Sequence, residues 1–398
     1  MYDLIIIGGG ISGLHTAYKL QHLFKILILE KEPCLGGRIF TVDFHGHNIE
    51  AGAGRLNQNH KHFHNLIDDL DIHIVPIPGK ISCVYNGQPL KKDVFRTLDP
   101  VLKQAKKTKI ETLQQYSFIE YAKTILSNDE ISFIKGCFGY YEQIMKMNAY
   151  DATKLFDKGM HTKNKFSIVK NGMSQVIEKL NREIKDQCTI KCNTVVSSIN
   201  YTNHKFTIKT NKKTYESKYC VCAIPKLAME KLAFFDPMRQ RLNTIGVKNL
   251  CRIYAIFEKK DIWFADLPKT TVNNEIRYII PIDKEKGVIM ISYTDSKFAK
   301  FWTSLPEDQV IPTLQSKIKE ALGVDIPRPK YIKAFYWETG TAYWKPKCDS
   351  RELYQSIQQP YSNMPLYICG ENFSQTQCWV EGAIESSSDV IKTLKTLK

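Results

Sequence analysis

The chain has 398 residues, 43% of them hydrophobic, with 11 cysteines and a formal net charge of +15. That length exceeds one simple core and suits two domains, each able to bury a sizeable interior. No apolar run reaches the roughly eighteen residues of a membrane span, and the first strand begins almost at once with no room for a signal peptide, so a cytoplasmic protein without a membrane partner is expected.

The basic residues are dispersed. Their densest run, Lys103 to Lys109, suits a solvated helix face and lacks the aromatic interleaving of a nucleic-acid groove, so no specific nucleic-acid partner is expected. The cysteines form no C-x-x-C pairs, and Cys220 and Cys222, one residue apart on an expected strand, face the same side. Reduced, mostly buried thiols are expected in place of a disulfide framework or a metal site.

Asp3 to Ile7 is a short apolar run suited to a buried strand, and Gly8-Gly9-Gly10-Ile11-Ser12-Gly13 follows without a spacer. Leu14, Ala17 and Leu20 continue at helical spacing, and Lys25 to Leu29 forms a second strand closing at Glu30. This is G-x-G-x-x-G in a strand-turn-helix-strand setting with an acid about twenty residues on, a dinucleotide-binding fingerprint. Gly8 permits the tight turn, Gly10 lets a pyrophosphate approach the helix N-terminus, and Gly13 lets helix and strand pack closely. Glu30 would accept from ribose hydroxyls.

Lys31 follows, then Leu35-Gly36-Gly37-Arg38, an extended stretch from Ile39 to Phe44, and Ile49 to Leu56 with Gly54 and Arg55. With these segments in order, the chain resembles the flavin-dependent amine oxidase family, which joins monoamine, polyamine and L-amino-acid oxidases. The resemblance implies FAD as cofactor. It places Gly8, Gly10, Ser12, Gly13, Glu30 and Lys31 along the dinucleotide, Gly36, Gly37 and Arg38 around its pyrophosphate, and Gly54, Arg55 and Leu56 close to the isoalloxazine ring. A guanidinium beside phosphate is chemically sensible in its own right.

Between about Pro76 and Lys165 a mainly helical insertion is expected, with Phe118 to Ala122 and Ile131 to Ile134 at helical spacing and Ser127-Asn128-Asp129 as a cap. Phe166 to Ile177 reads as a strand, a Gly172-Met173 turn and a helix. Ile190 to Ile199 follows, where the resemblance gives Val196 the adenine edge. Phe206 to Lys209 and Tyr219 to Pro225 are strands, and so are Cys251 to Phe257, Arg277 to Pro281 and Gly287 to Tyr293.

Trp337 to Pro346, Leu366 to Asn372 and Trp379 to Ser386 resemble the family's closing flavin motif. This implies cofactor contacts from Gly370, Glu371 and Val380, and a helix starting near Gly382 whose positive end faces the flavin. The implied fold class is α/β: a Rossmann-like FAD-binding domain (1–78, 166–235 and 336–398) interleaved with a mixed α+β substrate domain (79–165 and 236–335), the two-domain architecture of amine oxidases and glutathione reductase.

Tyr343 and Trp379 match the two aromatic residues that flank the substrate in this family, with Trp344 taking the place of Tyr343 if the register shifts by one. Arg55 resembles the arginine with which L-amino-acid oxidases pair a substrate carboxylate; the alternative is a structural arginine bonding loop carbonyls. Arg252 is a departure. Counting back from Phe257 and Trp263, it stands where most members carry a lysine that holds a water against flavin N5, and a planar guanidinium does not replace an ammonium there. Ala342 stands where some members have a flavin-linking cysteine, so non-covalent FAD is expected. The implied activity is oxidation of an amine or α-amino acid by hydride transfer to flavin N5, giving an imine and, with molecular oxygen, hydrogen peroxide. The alternatives are a flavin-dependent desaturase or porphyrinogen-type oxidase, and a catalytically weak flavin-binding member acting through a partner.

Overall fold

In the computed structural model, which describes residues 1–79, 81–90 and 93–397, two large sheets organise the chain. In the first, the strands Cys188–Lys191, Ile26–Leu29, Tyr2–Ile7 and Thr214–Cys222 lie side by side and parallel. Leu366–Ile368 adds a parallel strand beside Cys220 to Cys222, while Lys205–Thr210 and Val196–Thr202 add antiparallel ones. The opening isoleucine run is explained by its two faces. Leu4 and Ile6 pack under the helices Ile11–Leu20, Ser174–Ile184 and Val380–Lys395, whereas Ile5 and Ile7 join a separate core with Phe206, Cys220, Cys222 and Trp344. A strand covered on both faces has no use for alternating polarity.

The second sheet runs in the order Tyr331–Trp344, Ile245–Ile256, Val288–Asp295, Tyr278–Asp283, Thr270–Val272, Ser82–Tyr85 and Gln88–Leu90. It is antiparallel apart from the pairing of Thr270–Val272 with Ser82–Tyr85. Tyr331–Trp344 stays paired to Ile245–Ile256 as far as Ile245↔Trp344, so this sheet extends past the expected boundary at 336 and delivers Tyr343 to the domain junction. Helices from Val94–Ala105 to Ala149–Lys154 pack around one apolar cluster that also takes in Cys83, Tyr278, Tyr343 and Trp379. Two of these helices start with reciprocal caps, Ser117 with Glu120 and Ser127 with Glu130, each satisfying otherwise orphaned N–H groups.

One cysteine expectation is corrected. Cys83 and Cys137 form a disulfide with Cα atoms 6.2 Å apart, joining the strand Ser82–Tyr85 to the helix Asn128–Cys137, while the other nine cysteines are free. The two residues are 54 apart in sequence and meet only because that helix packs on that strand. Among the described residues no helix is long and apolar enough to cross a membrane.

Candidate active site

The glycine turn forms a cradle. A Cβ on Gly13 would lie 2.1 Å from the Gly8 carbonyl oxygen, so only glycine lets the helix begin this close to the strand. A Cβ on Gly10 would meet nothing within 4 Å. Gly10 is also the N-cap of Ile11–Leu20 and supplies no side-chain cap, so the helix presents free N–H groups to open space. Gly36 donates to the Gly9 carbonyl at 2.9 Å, which brings the Gly36-Gly37-Arg38 segment against the turn, and Gly37 borders Gly10. Buried Glu30 accepts from the amides of Gly9 at 2.6 Å and Glu32 at 2.8 Å. An open seat at a helix N-terminus, closed by a second glycine segment and an acid at the next strand end, fits FAD.

The remaining expected contacts distribute unevenly. Ser12 is buried beside Gly370, and the main chain of Glu30 accepts from Thr194, which brings the start of the Val196 strand close. Lys31 points outward and pairs with Glu32. Leu56 is a core residue whose strand pairs with Ser167. Val380 opens the helix Val380–Lys395 after the N-cap Trp379. Glu371 acts as a hub: its carboxylate accepts from Arg38 at 2.8 Å, Ala342 N at 3.0 Å, Cys378 N at 2.7 Å and the Asn372 amide at 2.7 Å. It ties Arg38 to both closing segments.

Tyr343 and Trp344 point to opposite faces of their strand. Trp344 is fully buried in the Ile5 core and donates its indole N–H to the Ser374 carbonyl at 2.9 Å. Tyr343 faces the same cluster as Trp379, rests its ring on Gly246, where a Cβ would come within 2.1 Å, and donates to the Glu142 carboxylate at 3.3 Å. Burial, then the Glu142 charge, pushes the Tyr343 hydroxyl far above its ordinary range, so it stays protonated. Trp379 is held by His60 edge-on at 4.7 Å between ring centroids and by Phe166 at 6.4 Å. Gly159, in the π-helical turn Leu155–Met160, lies against its indole nitrogen, which is buried without a hydrogen-bond partner.

Arg252 lies beneath the 50–54 loop. It donates to the Glu50 carbonyl at 2.8 Å and to the Gly52 carbonyl, and its guanidinium covers the Tyr293 ring at 4.6 Å. Tyr254 donates to the same Glu50 carbonyl. Four residues upstream on the same strand, Lys248 is buried with its ammonium 3.3 Å from Asp295 and 5.5 Å from the Tyr140 ring centre. Burial works most strongly against its charge, but the Asp295 carboxylate together with Cys378 and Tyr293 outweighs it, so its pKa is raised. Asp295 in turn accepts from the amides of Tyr141 and Glu142 at 3.0 and 3.1 Å. Cys378, adjacent to Trp379, has its thiol in the electrostatic field of Lys248. Counting back along the chain passes over Lys248; a lysine in a mostly apolar strand, whose other polar residues are Asn249 and Arg252, is the signal that points to it.

Arg55 stands between the aromatic residues and a small cavity. Its guanidinium lies 5.4 Å from the Trp379 ring centre and 5.0 Å from that of Phe166, and it donates to the Tyr140 hydroxyl at 2.7 Å. It bonds no loop carbonyl among the described contacts. The cavity beyond it is lined by Tyr140, Tyr278, Phe166, Met160 and Lys269 among others.

The model for the family described as flavin containing amine oxidoreductase matches residues 96–390, and that for an NAD(P)-binding Rossmann-like domain matches residues 6–70. A probable flavin-containing monoamine oxidase A from Dictyostelium discoideum is 22% identical over 463 residues, covering 99% of this chain and 98% of that protein. Prenylcysteine oxidase 1 of Rattus norvegicus is 35% identical over 91 residues, which is 22% of this chain and 18% of that one. Among solved structures, wild-type putrescine oxidase bound to putrescine superimposes with a TM-score of 0.80 at 16% identity, over 99% of both chains. A double mutant of putrescine oxidase, from a redesign of cofactor binding, gives 0.83 at 15% identity, again over 99% of both. At these identities the structural likeness is one of fold.

Proposed function

The chain belongs to the flavin-containing amine oxidoreductase family, and from that premise we propose that it oxidises an amine or α-amino acid to the imine, with molecular oxygen as final acceptor and hydrogen peroxide as second product. It is an FAD-dependent oxidoreductase. The observation that carries the substrate reading is the junction itself, where Tyr343 and Trp379 share one aromatic cluster and Arg55 covers the Trp379 ring.

Bound FAD supplies the hydride acceptor and the route for the electron pair to oxygen. The chain's part is orientation and exclusion of water. Tyr343 and Trp379 hold the amine by their ring faces, with the Tyr343 hydroxyl fixed by Glu142. Arg55 holds a carboxylate by its remaining N–H donors, a task for which a planar guanidinium suits better than an ammonium. Lys248, kept charged by Asp295, takes the water-holding role of the family lysine, whose position counting along the chain gave to Arg252. Arg252 braces the glycine loop. Ala342 offers no thiol, so FAD is held non-covalently through the cradle, Arg38 and Val196.

Steady-state peroxide assays on Arg55→Ala test the substrate assignment. The variant should raise KM for α-amino acids while leaving plain amines unchanged; equal KM values for both classes in wild type and variant would remove the carboxylate role. The putrescine-bound neighbour binds a diamine. Arg55 beside Tyr140 favours an anionic substrate instead.

A further inference from the structure

Arg55 and Lys269 are two cations on the wall of one small cavity, which is otherwise lined by Tyr140, Tyr278, Thr271 and apolar side chains such as Phe166 and Met160. Lys269 comes from the loop before the strand Thr270–Val272, and its ammonium donates to the Pro78 carbonyl. Arg55 uses one donor on Tyr140 and its face on Phe166 and Trp379, which leaves further N–H groups. The Tyr278 hydroxyl is buried beside Arg55 without completing a well-formed hydrogen bond. Among the described residues no carboxylate lines the cavity. Asp295, which lies behind Tyr141 and Glu142, is already paired with Lys248.

Two half-buried positive charges on one mostly apolar wall repel each other and lose part of their hydration, and an anion placed between them relieves both costs. Burial, then the Arg55 charge, pulls the Lys269 ammonium down to about 8. The other titratable lining groups, Tyr140 and Tyr278, are pushed up by burial and keep their protons. A single carboxylate matches Arg55 and leaves the charge of Lys269 in excess, so the matched ligand carries two negative charges.

Resting on the reading of this site as the substrate site of an amine-oxidising flavoenzyme, we propose that its substrates are acidic amino acids, with one anionic oxygen group for Arg55 and a second for Lys269, which makes Lys269 the specificity-determining residue. The second group is a carboxylate, sulfonate or phosphate, whose shared chemistry is negatively charged oxygen.

The test uses the FAD-loaded full chain and ligands that have no amine and are not oxidised: glutarate, with two carboxylates, and butyrate, with one. Calorimetric titration should give glutarate a Kd at least about tenfold below that of butyrate near pH 7, a difference of about 1.4 kcal/mol. Lys269→Gln should lose the preference. Wild type should lose it at about pH 9.5, above the Lys269 pKa, whereas Lys269→Arg should keep it there because its guanidinium does not titrate. Equal affinities for the two ligands in wild type, or a preference that survives in Lys269→Gln, would overturn the proposal. Because nothing is turned over, these outcomes are independent of whether any amine reduces the flavin, and a failure of the oxidase reading appears separately in flavin bleaching.

Discussion

The Lys248 ammonium lies 3.3 Å from the Asp295 carboxylate, with side chains 2% and 1% exposed. Desolvation opposes such a pair, and its geometry matters because either partner alone is a bare charge in a dry interior. Asp295 also receives the first amides of the helix Tyr141–Lys146, so the pair links the second sheet to the helices that carry Tyr140 and Glu142.

Lys248→Met is therefore expected to cost about 3–5 kcal/mol, and adding Asp295→Asn should recover part of that loss by removing the stranded charge. Denaturant unfolding of wild type, single and double variants measures both terms. Additive losses would show that the two side chains do not act as a pair.

Gly10→Ala and Gly13→Ala separate cofactor binding from folding. Gly10 has ordinary φ of −73° and open space around its Cβ position, so the Gly10→Ala protein should unfold at the wild-type temperature while binding FAD at least about tenfold more weakly. Gly13→Ala puts a methyl onto the Gly8 carbonyl and should destabilise the fold itself by about 1–3 kcal/mol. Thermal unfolding and flavin retention on gel filtration read the two effects.

What could be read from the chain is what local spacing encodes. The Gly8–Gly13 turn, the acid at Glu30 and the Ser127 cap each depend on neighbours within about twenty residues, and each is present in the structure. Counting along the strand Ile245–Ile256 failed to single out Lys248 because that strand carries register shifts between Lys248 and Leu250 and between Ile253 and Tyr254. A bulge changes which residue faces a given neighbour, and residue spacing cannot show it. Only the family resemblance puts Tyr343 ahead of Trp344, since adjacent strand residues differ only in which core they face. The Cys83–Cys137 bond and the approach of Lys269 to Arg55 depend on chain crossings that no local pattern records.

Arg252→Met should act through the loop it braces. The variant loses charge-assisted bonds to the Glu50 and Gly52 carbonyls, worth about 1.5–3 kcal/mol each, and frees the segment between Arg38 and Arg55. FAD content after purification should fall, while the rate of anaerobic bleaching per bound flavin stays near wild type. A large fall in that rate at full flavin content would return Arg252 to the reacting centre.

His15 is held down to about 3 by burial and then by the charges of Lys19 and His62, and its ring pairs with the Ser387 hydroxyl at 2.8 Å. A depressed folded pKa contributes stability above the unfolded value of about 6.5 that is lost as pH falls toward 3, at about 1.4 kcal/mol per pH unit. Glu50 and Asp151, raised by burial, act in the opposite direction and are common to wild type and variant. His15→Gln should therefore show a shallower loss of unfolding free energy between about pH 6.5 and pH 4, by the slope of one group. An unchanged acid limb would mean that His15 is not buried neutral.

On the proposed function, Tyr343 and Trp379 present an amine to bound FAD. Anaerobic stopped-flow absorbance on the purified yellow protein, mixed in turn with amines, neutral amino acids and acidic amino acids, measures it most directly. Bleaching of the flavin by at least one class is expected, slowed by at least about tenfold in Trp379→Ala and Tyr343→Ala with the flavin still bound. Protein that is colourless when pure, flavin that no amine or amino acid bleaches, or bleaching that is unaffected by both substitutions would contradict it.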